Sequence, residues 1–311
     1  LRVARATPRE RLDRVARGGS GAHLFDPDRL TAYGLTTTEV ASALQAQNLE
    51  LPGGSLEAKW EFATGAGFSG IELRARGDGH FAARLPELRA AARSGVVMAT
   101  VCPETDHFIG DFDAGRRRDA IEQLRSQLSV IAELGGKGVL TPASWGMFSL
   151  RLPPFTPPRQ PDDDRKVLLE ALTELAGHAA AEGVWLAVEP INRYEDYMVN
   201  RLEQAVSLGE EVERATGHGS VRVCADLFHM NIEEDDLAAA IRAAGPRIAH
   251  VHVDDTNRLQ PGTGHMDFAG VFAALREVGY DDWLTFECRL RGEPEEALPA
   301  STRFLRRFLD G

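Results

Sequence analysis

The feature that most restricts the fold is an alternation. From about residue 55 onward, short β-branched or apolar runs recur between longer segments of helical periodicity. The runs are GIELR (70–74), VVMATVC (96–102), GVLTPAS (138–144), VWLAVEP (184–190), VRVCAD (221–226), IAHVHVDD (248–255) and WLTFEC (283–288). Runs this short and this apolar read as strands buried on both faces, the pattern of a parallel sheet covered by helices. The intervening segments carry the matching signal. RRRDAIEQLRSQLSVIAELGG (116–136) sets Ile121, Leu124, Leu128 and Ile131 on one stripe, and its Gly-Gly pair stops it. DRKVLLEALTELAGHAAAEG (164–183) and DFAGVFAALREVGY (267–280) behave alike. Repeated βα units imply right-handed crossovers, and 311 residues suffice for one barrel of eight such units. An open doubly wound sheet is the rival. No GxGxxG follows an early strand, and the chemistry-bearing residues sit at the ends of four late strands, so the expectation is α/β, a (β/α)8 TIM barrel.

The N-terminal end does not fit this pattern. An eighth strand has to precede the helical segment SLEAKWEFATGAG (55–67), and NLEL (48–51) is the only candidate for it. The expected division is an atypical N-terminal extension over 1–47 and a barrel catalytic domain over 48–311. The first residues carry six arginines with no following apolar core, which is not a secretory signal. Glu10 and Asp13 argue against a transit segment. The stretch FDPDRLTAYGLTTTEVASALQAQNLELPGGSLE reads as a turn, a helix capped near Thr36–Thr38, and a short strand. Residues 20–54 resemble a fragment of the porter region of resistance–nodulation–division efflux transporters, without any of the membrane helices. That resemblance implies a fused end or a local helix closing the barrel floor.

A net charge of −12 argues against nucleic acid or an anionic membrane as the main partner. No apolar stretch approaches the roughly 20 residues needed to span a bilayer. Cys102, Cys224 and Cys288 lie in separate runs with no CxxC spacing, which points to a reducing, cytoplasmic compartment. The expected partner is a small molecule, with a homo-oligomer expected by analogy with barrels of this kind.

Four metal-ligand candidates sit at carboxyl ends of expected strands: Glu189, Asp226, His252 and Glu287. Their separations of 37, 26 and 35 residues are each one βα repeat, so a closed barrel turns all four into one mouth. A single strand-end acid is usually a cap or a loop acceptor, and a single histidine in an apolar run is usually a core residue. Four together are different, because three buried carboxylates repel unless a cation offsets them. Three carboxylates and one imidazole, with no thiolate, favour Mn²⁺, Mg²⁺ or Co²⁺ over a structural zinc.

The chain resembles the xylose-isomerase-like sugar phosphate isomerase/epimerase superfamily, and within it the ketose 3-epimerases. The matching stretches are AGFSGIEL (66–73), EPINRYE (189–195), DLFHMNIEE (226–234), HVHVDDTNRLQPGTGHMDF (250–268) and FE (286–287). The resemblance implies that Glu189, Asp226, His252 and Glu287 hold the metal and that Glu189 and Glu287 are the acid/base pair. It also implies that Glu195, His229 and Arg258 hold substrate oxygens. The activity implied is epimerisation or isomerisation of a sugar through an enediolate, most sharply at C3 of a ketose. A lyase of the inosose or dehydroshikimate dehydratase type uses the same proton abstraction. A non-catalytic fusion protein is the reading outside enzymology.

Other roles stay open at this level. Arg258 can instead pair with Asp254 or Asp255, His229 can orient Asp226, and Glu195 can cap the following helix. His250 reads as a packing group or as one that supports a ligand from behind, and Glu72 can reach the mouth but reads as structural. The loop SWGMFSLRLPPFTPPRQPDDDRK (144–166), rich in aromatics and proline, reads as a substrate wall or lid, or as a subunit contact.

Overall fold

The computed structural model describes residues 54–146 and 157–309. The helix over the SLEAKWEF segment is α1 (Leu56–Gly65), and the Ser55 hydroxyl caps it by accepting from the Ala58 N–H. The strands are β1 (Ile71–Arg76), β2 (Met98–Glu104), β3 (Gly138–Thr141), β4 (Trp185–Val188), β5 (Val221–Asp226), β6 (Ile248–His252) and β7 (Leu284–Thr285). The helices after α1 are α2 (His80–Ala83), α3 (Leu85–Arg93), α4 (Ala114–Glu133), α5 (Pro161–Glu182), α6 (Leu202–Thr216), α7 (Leu227–Glu233), α8 (Leu237–Ala244), α9 (Phe268–Glu277) and α10 (Pro294–Leu309). Several helices stop as the glycine pattern predicts. Gly183 after α5 and Gly217 after α6 take φ of 72° and 76°, left-handed values that cost a side chain energy.

All strand pairs are parallel and run in sequence order from β1 to β7. A doubly wound sheet would reverse its strand order part-way, so this order excludes it. The sheet also curls round on itself. His252 on β6 reaches Glu72 on β1 at 3.2 Å, and Cys102 on β2 lies 3.9 Å from Glu287 beyond β7. Such pairs are far apart along the sheet and meet only across the inside of a nearly closed cylinder. At the seam, Phe68 and Phe286 stack edge-on with ring centroids 5.0 Å apart. The fold is a TIM barrel. The NLEL segment expected as the eighth strand lies outside the described residues, as do the transporter-like stretch and the 1–47 extension.

Alternation along each strand sorts the side chains. Val139, Leu186, Val223 and Val251 face outward and join helix residues such as Leu128, Leu172, Leu208 and Phe272 in the main core. Leu140, Ala187 and Cys224 face inward as a small separate cluster, with Cys102 and Trp185 against it. The inner cluster plugs the barrel. Two residues further along β5 the inward position is Asp226, paired in register with His252, and Cys224 is paired with His250. The polar groups therefore form a layer directly above an apolar floor. β7 is only two residues long, shorter than the run predicted, yet Val253 N–H still donates to Thr285 O at 2.7 Å and keeps the chain in register up to Glu287.

Candidate active site

Glu189 follows β4, Asp226 ends β5, His252 ends β6, and Glu287 lies just past β7. One ligand atom from each lies within 4.8 Å of every other, so the structure brings all four predicted residues together. The Nδ1 of His252 is the hub: it lies 3.1 Å from Glu189 Oε1, 3.0 Å from Glu287 Oε2 and 3.6 Å from Asp226 Oδ2. Donors arranged octahedrally around a cation about 2.1 Å away stand about 3.0 Å apart along each edge, close to this spacing. Asp226 Oδ2 is buried and has no hydrogen-bond partner, as a ligand atom would be. The donor set fits a hard divalent ion, and the four residues form a possible metal site.

The electrostatics agree. Burial pushes the Glu189 carboxyl up, against the pull of His252, and the charges of Glu287 and Asp226 add to the rise. Asp226 is held down despite its burial by the charge of His229 and by His252. His252 is raised well above the ordinary imidazole range even though burial opposes it, because Cys224 and then the carboxylates of Glu287, Glu72 and Glu189 surround it. A site this rich in carboxylates takes up positive charge, as a proton on the imidazole or as a cation.

The three residues matched to substrate contact sit together beside the four candidate ligands. Arg258 donates to Glu195 Oε1 at 2.8 Å, and its guanidinium lies 4.9 Å over the Phe228 ring. Glu195 also accepts from Asn192 at 2.9 Å and from the Trp145 indole at 2.8 Å. Arg258 therefore pairs with Glu195, and with neither Asp254 nor Asp255. Asp255 instead ties down its own loop, accepting from the N–H groups of Thr256, Gly262, Thr263 and Met266. Arg258 holds a φ of 55°, a strained value for a side chain of this size, and the Glu195 pair and the Phe228 ring hold it there. Glu195 caps no helix: at the start of α6, Arg201 N–H donates to Gln204 Oε1 at 2.9 Å. His229 touches Asp226 through its backbone rather than its ring. Its backbone N–H donates to Asp226 Oδ1 at 2.8 Å, while its ring Nδ1 faces the Asn192 backbone N–H at 3.1 Å. Of the aromatic loop, Trp145 is described and exposed at this rim, while residues 147–156 lie outside the described residues.

Two groups carry more than the sequence reading gives them. Glu72, which can reach the mouth but reads as structural in the sequence, touches His252. Asp254 is fully buried with neither carboxylate oxygen hydrogen-bonded, and burial followed by the charge of Asp226 pushes it well above the carboxylate range. The signal for Asp254 was strand alternation: His250, His252 and Asp254 fall on one face.

The family model described as xylose isomerase-like TIM barrel matches residues 60–308. The chain belongs to that family. The match begins after the transporter-like stretch over residues 20–54, which it leaves untouched. A 3-dehydro-D-guloside 4-epimerase of Escherichia coli is 39% identical over 251 residues, covering 80% of this chain and 93% of the relative. An L-ribulose 3-epimerase of Methylomonas is 33% identical over 203 residues, 64% of each chain. Among solved structures, the apo 3-keto-D-glucoside 4-epimerase of E. coli superposes with a TM-score of 0.76 at 35% identity, covering 84% of this chain and 97% of that one. The relatives are sugar epimerases, and the family member described here is an enzyme of the isomerase class.

Proposed function

We propose that the enzyme epimerises a keto-sugar at the carbon next to its carbonyl, with Glu189 and Glu287 as the acid/base pair and one divalent cation, Mn²⁺ foremost, as cofactor. The observation that carries this reading is that two carboxylates from strands three apart reach the same imidazole nitrogen, at 3.1 and 3.0 Å. A reacting carbon seated beside that point has a carboxylate on either side. One takes the proton and the other returns it to the opposite face, which inverts the centre. A cation held by Glu189, Asp226, His252 and Glu287 would supply Lewis-acid stabilisation to the enediolate oxygens. Arg258, Glu195 and His229 would then hold the hydroxyls further along the sugar and fix which carbon is presented. Trp145, bonded to Glu195, forms a wall of that pocket. The catalytic unit in this reading is residues 48–311, in a reducing compartment such as the cytoplasm, consistent with the three free cysteines.

The near-full-length match to a 3-dehydro-D-guloside 4-epimerase favours C4 of a 3-keto glycoside as the reacting carbon. C3 of a free ketose is the second reading, favoured by the L-ribulose 3-epimerase match and by one over 43% of this chain to a D-psicose 3-epimerase of Enterocloster bolteae at 38% identity. Incubation with Mn²⁺ in deuterated water, using a 3-keto-D-glucoside in one arm and D-psicose in the other, separates them. Deuterium at C4 of the first or C3 of the second names the reaction. Loss of water to an ultraviolet-absorbing enone would replace epimerisation by dehydration. Absence of exchange in both arms would sink the proposal.

A further inference from the structure

Glu72 lies outside the acid/base pair and the four proposed ligands, yet it is tied directly to one of them. Its Oε1 lies 3.2 Å from His252 Nε2, the ring nitrogen opposite the one facing Glu189, Asp226 and Glu287. Its Oε2 accepts the Thr100 hydroxyl at 2.6 Å. The same oxygen lies 3.2 Å from His250 Nε2, at an angle that makes an ion-pair contact rather than a hydrogen bond. The carboxylate from β1 is thus pinned by β2 and by two residues of β6. It is an immobile acceptor.

A neutral imidazole carries one N–H, and the nitrogen bearing it cannot ligate a cation. His252 is fully buried, so water does not choose the tautomer. An ionised carboxylate accepts and does not donate, so a fixed one at Nε2 draws the proton there and leaves the lone pair on Nδ1. The same bond holds the ring plane from the side away from Glu189, whose Oε1 lies 3.1 Å from Nδ1. We infer that Glu72 is a positioning residue that sets the tautomer and orientation of His252 for cation binding through Nδ1. The inference rests on the cation of the proposed function. The competing roles are a purely structural tie between β1 and β6, and a second cation held by Glu72, His250 and His252, whose ligand atoms also lie within 4.8 Å of one another.

The test titrates the metal-free full chain with MnCl₂, counting free Mn²⁺ by its electron paramagnetic resonance signal, for wild type, Glu72→Gln and Thr100→Val. Wild type is expected to bind one Mn²⁺. Glu72→Gln is expected to bind one, with a Kd raised roughly 10- to 100-fold, and to recover turnover as Mn²⁺ is raised. Thr100→Val, which frees one side of the carboxylate, should raise the Kd by a smaller factor. An unchanged Kd in Glu72→Gln overturns the inference, as do two Mn²⁺ per wild-type chain falling to one in that variant. If Glu72→Gln does not fold, Thr100→Val decides: a raised Kd supports the inference and an unchanged one overturns it. Wild type that binds no Mn²⁺ would instead break the cation reading itself.

Discussion

Glu287 and Glu189 share a proposed role but not an environment. Glu189 is almost entirely enclosed, whereas the side chain of Glu287 is 25% exposed, so the second is the one that can exchange protons with solvent. Glu287→Gln keeps the shape and removes the charge. Deuterium incorporation into substrate should fall by at least about 100-fold, the ordinary worth of a general acid or base, and Mn²⁺ should bind more weakly. A variant exchanging at the wild-type rate would remove Glu287 from the mechanism. Asp196, one residue from Glu195, makes a different prediction. Its carboxylate accepts from the Ser144 hydroxyl and, at 3.0 Å, from the Met198 N–H, yet burial outweighs these bonds and lifts its pKa from 3.8 to about 6. The folded state then holds the proton more tightly than the unfolded chain. The resulting stability is present below pH 4 and lost as pH rises through 6. Asp196→Asn keeps the acceptor and cannot titrate. The stability of wild type relative to Asp196→Asn, from urea unfolding, should therefore fall by about 2 kcal/mol between pH 4 and pH 7. A difference that does not vary with pH refutes this. Nothing in the run RYEDYMVN announces a buried carboxyl, because its burial comes from the chain around Ser144 some 50 residues away.

At the level of elements, what could be read from the sequence was whatever a strand's own alternation dictates. Glu189, Asp226 and His252 close or follow strands whose outward positions are Val188, Ala225 and Val251, and the barrel then aims the inward ones together. Glu72 lies inside an equally apolar run, GIEL, as the second residue of β1, and one acid within a strand carries no information about what faces it across the cylinder. The pairing of Arg258 with Glu195 was hidden for the same reason, since it joins two loops from different βα units. Gly138 shows how closely elements must approach to build this layer. It pairs in register with Trp185, and a Cβ added there would fall 2.2 Å from the Trp185 carbonyl oxygen and 2.3 Å from its ring. Backbone cannot yield as a flexible side chain does. Gly138→Ala is expected to destabilise the protein by about 3 kcal/mol, at the upper end for overpacking, and to loosen β3 from β4. Urea unfolding measures it, and a loss below about 0.5 kcal/mol, within the range of ordinary surface substitutions, would mean the strands part without cost.

On the scale of the whole molecule, the four proposed ligands come from the ends of β4, β5, β6 and β7. No short peptide of this chain contains more than two of them, so the cation site exists only when half the barrel is assembled. Without a cation, Glu189, Asp226 and Glu287 crowd one imidazole and repel one another, which opposes closing that half of the sheet. Cation binding and folding are therefore linked: an ion that binds the native state and not the unfolded chain stabilises it by mass action. With Mn²⁺ at 100 times its Kd the gain is about 2.7 kcal/mol. For a domain of this order of size that raises the melting temperature by roughly 5–10 °C. Scanning calorimetry of the chelator-treated protein, with and without Mn²⁺, reads the shift directly. Glu189→Gln removes one negative ligand whose charge is disfavoured in the metal-free fold, so the metal-free variant should melt no lower than wild type while most of its Mn²⁺-dependent shift disappears. The two effects have opposite signs only if the carboxylates are there to hold a cation. A Glu189→Gln protein that loses stability without metal and keeps the full Mn²⁺ shift would mean that the acids support the barrel by themselves.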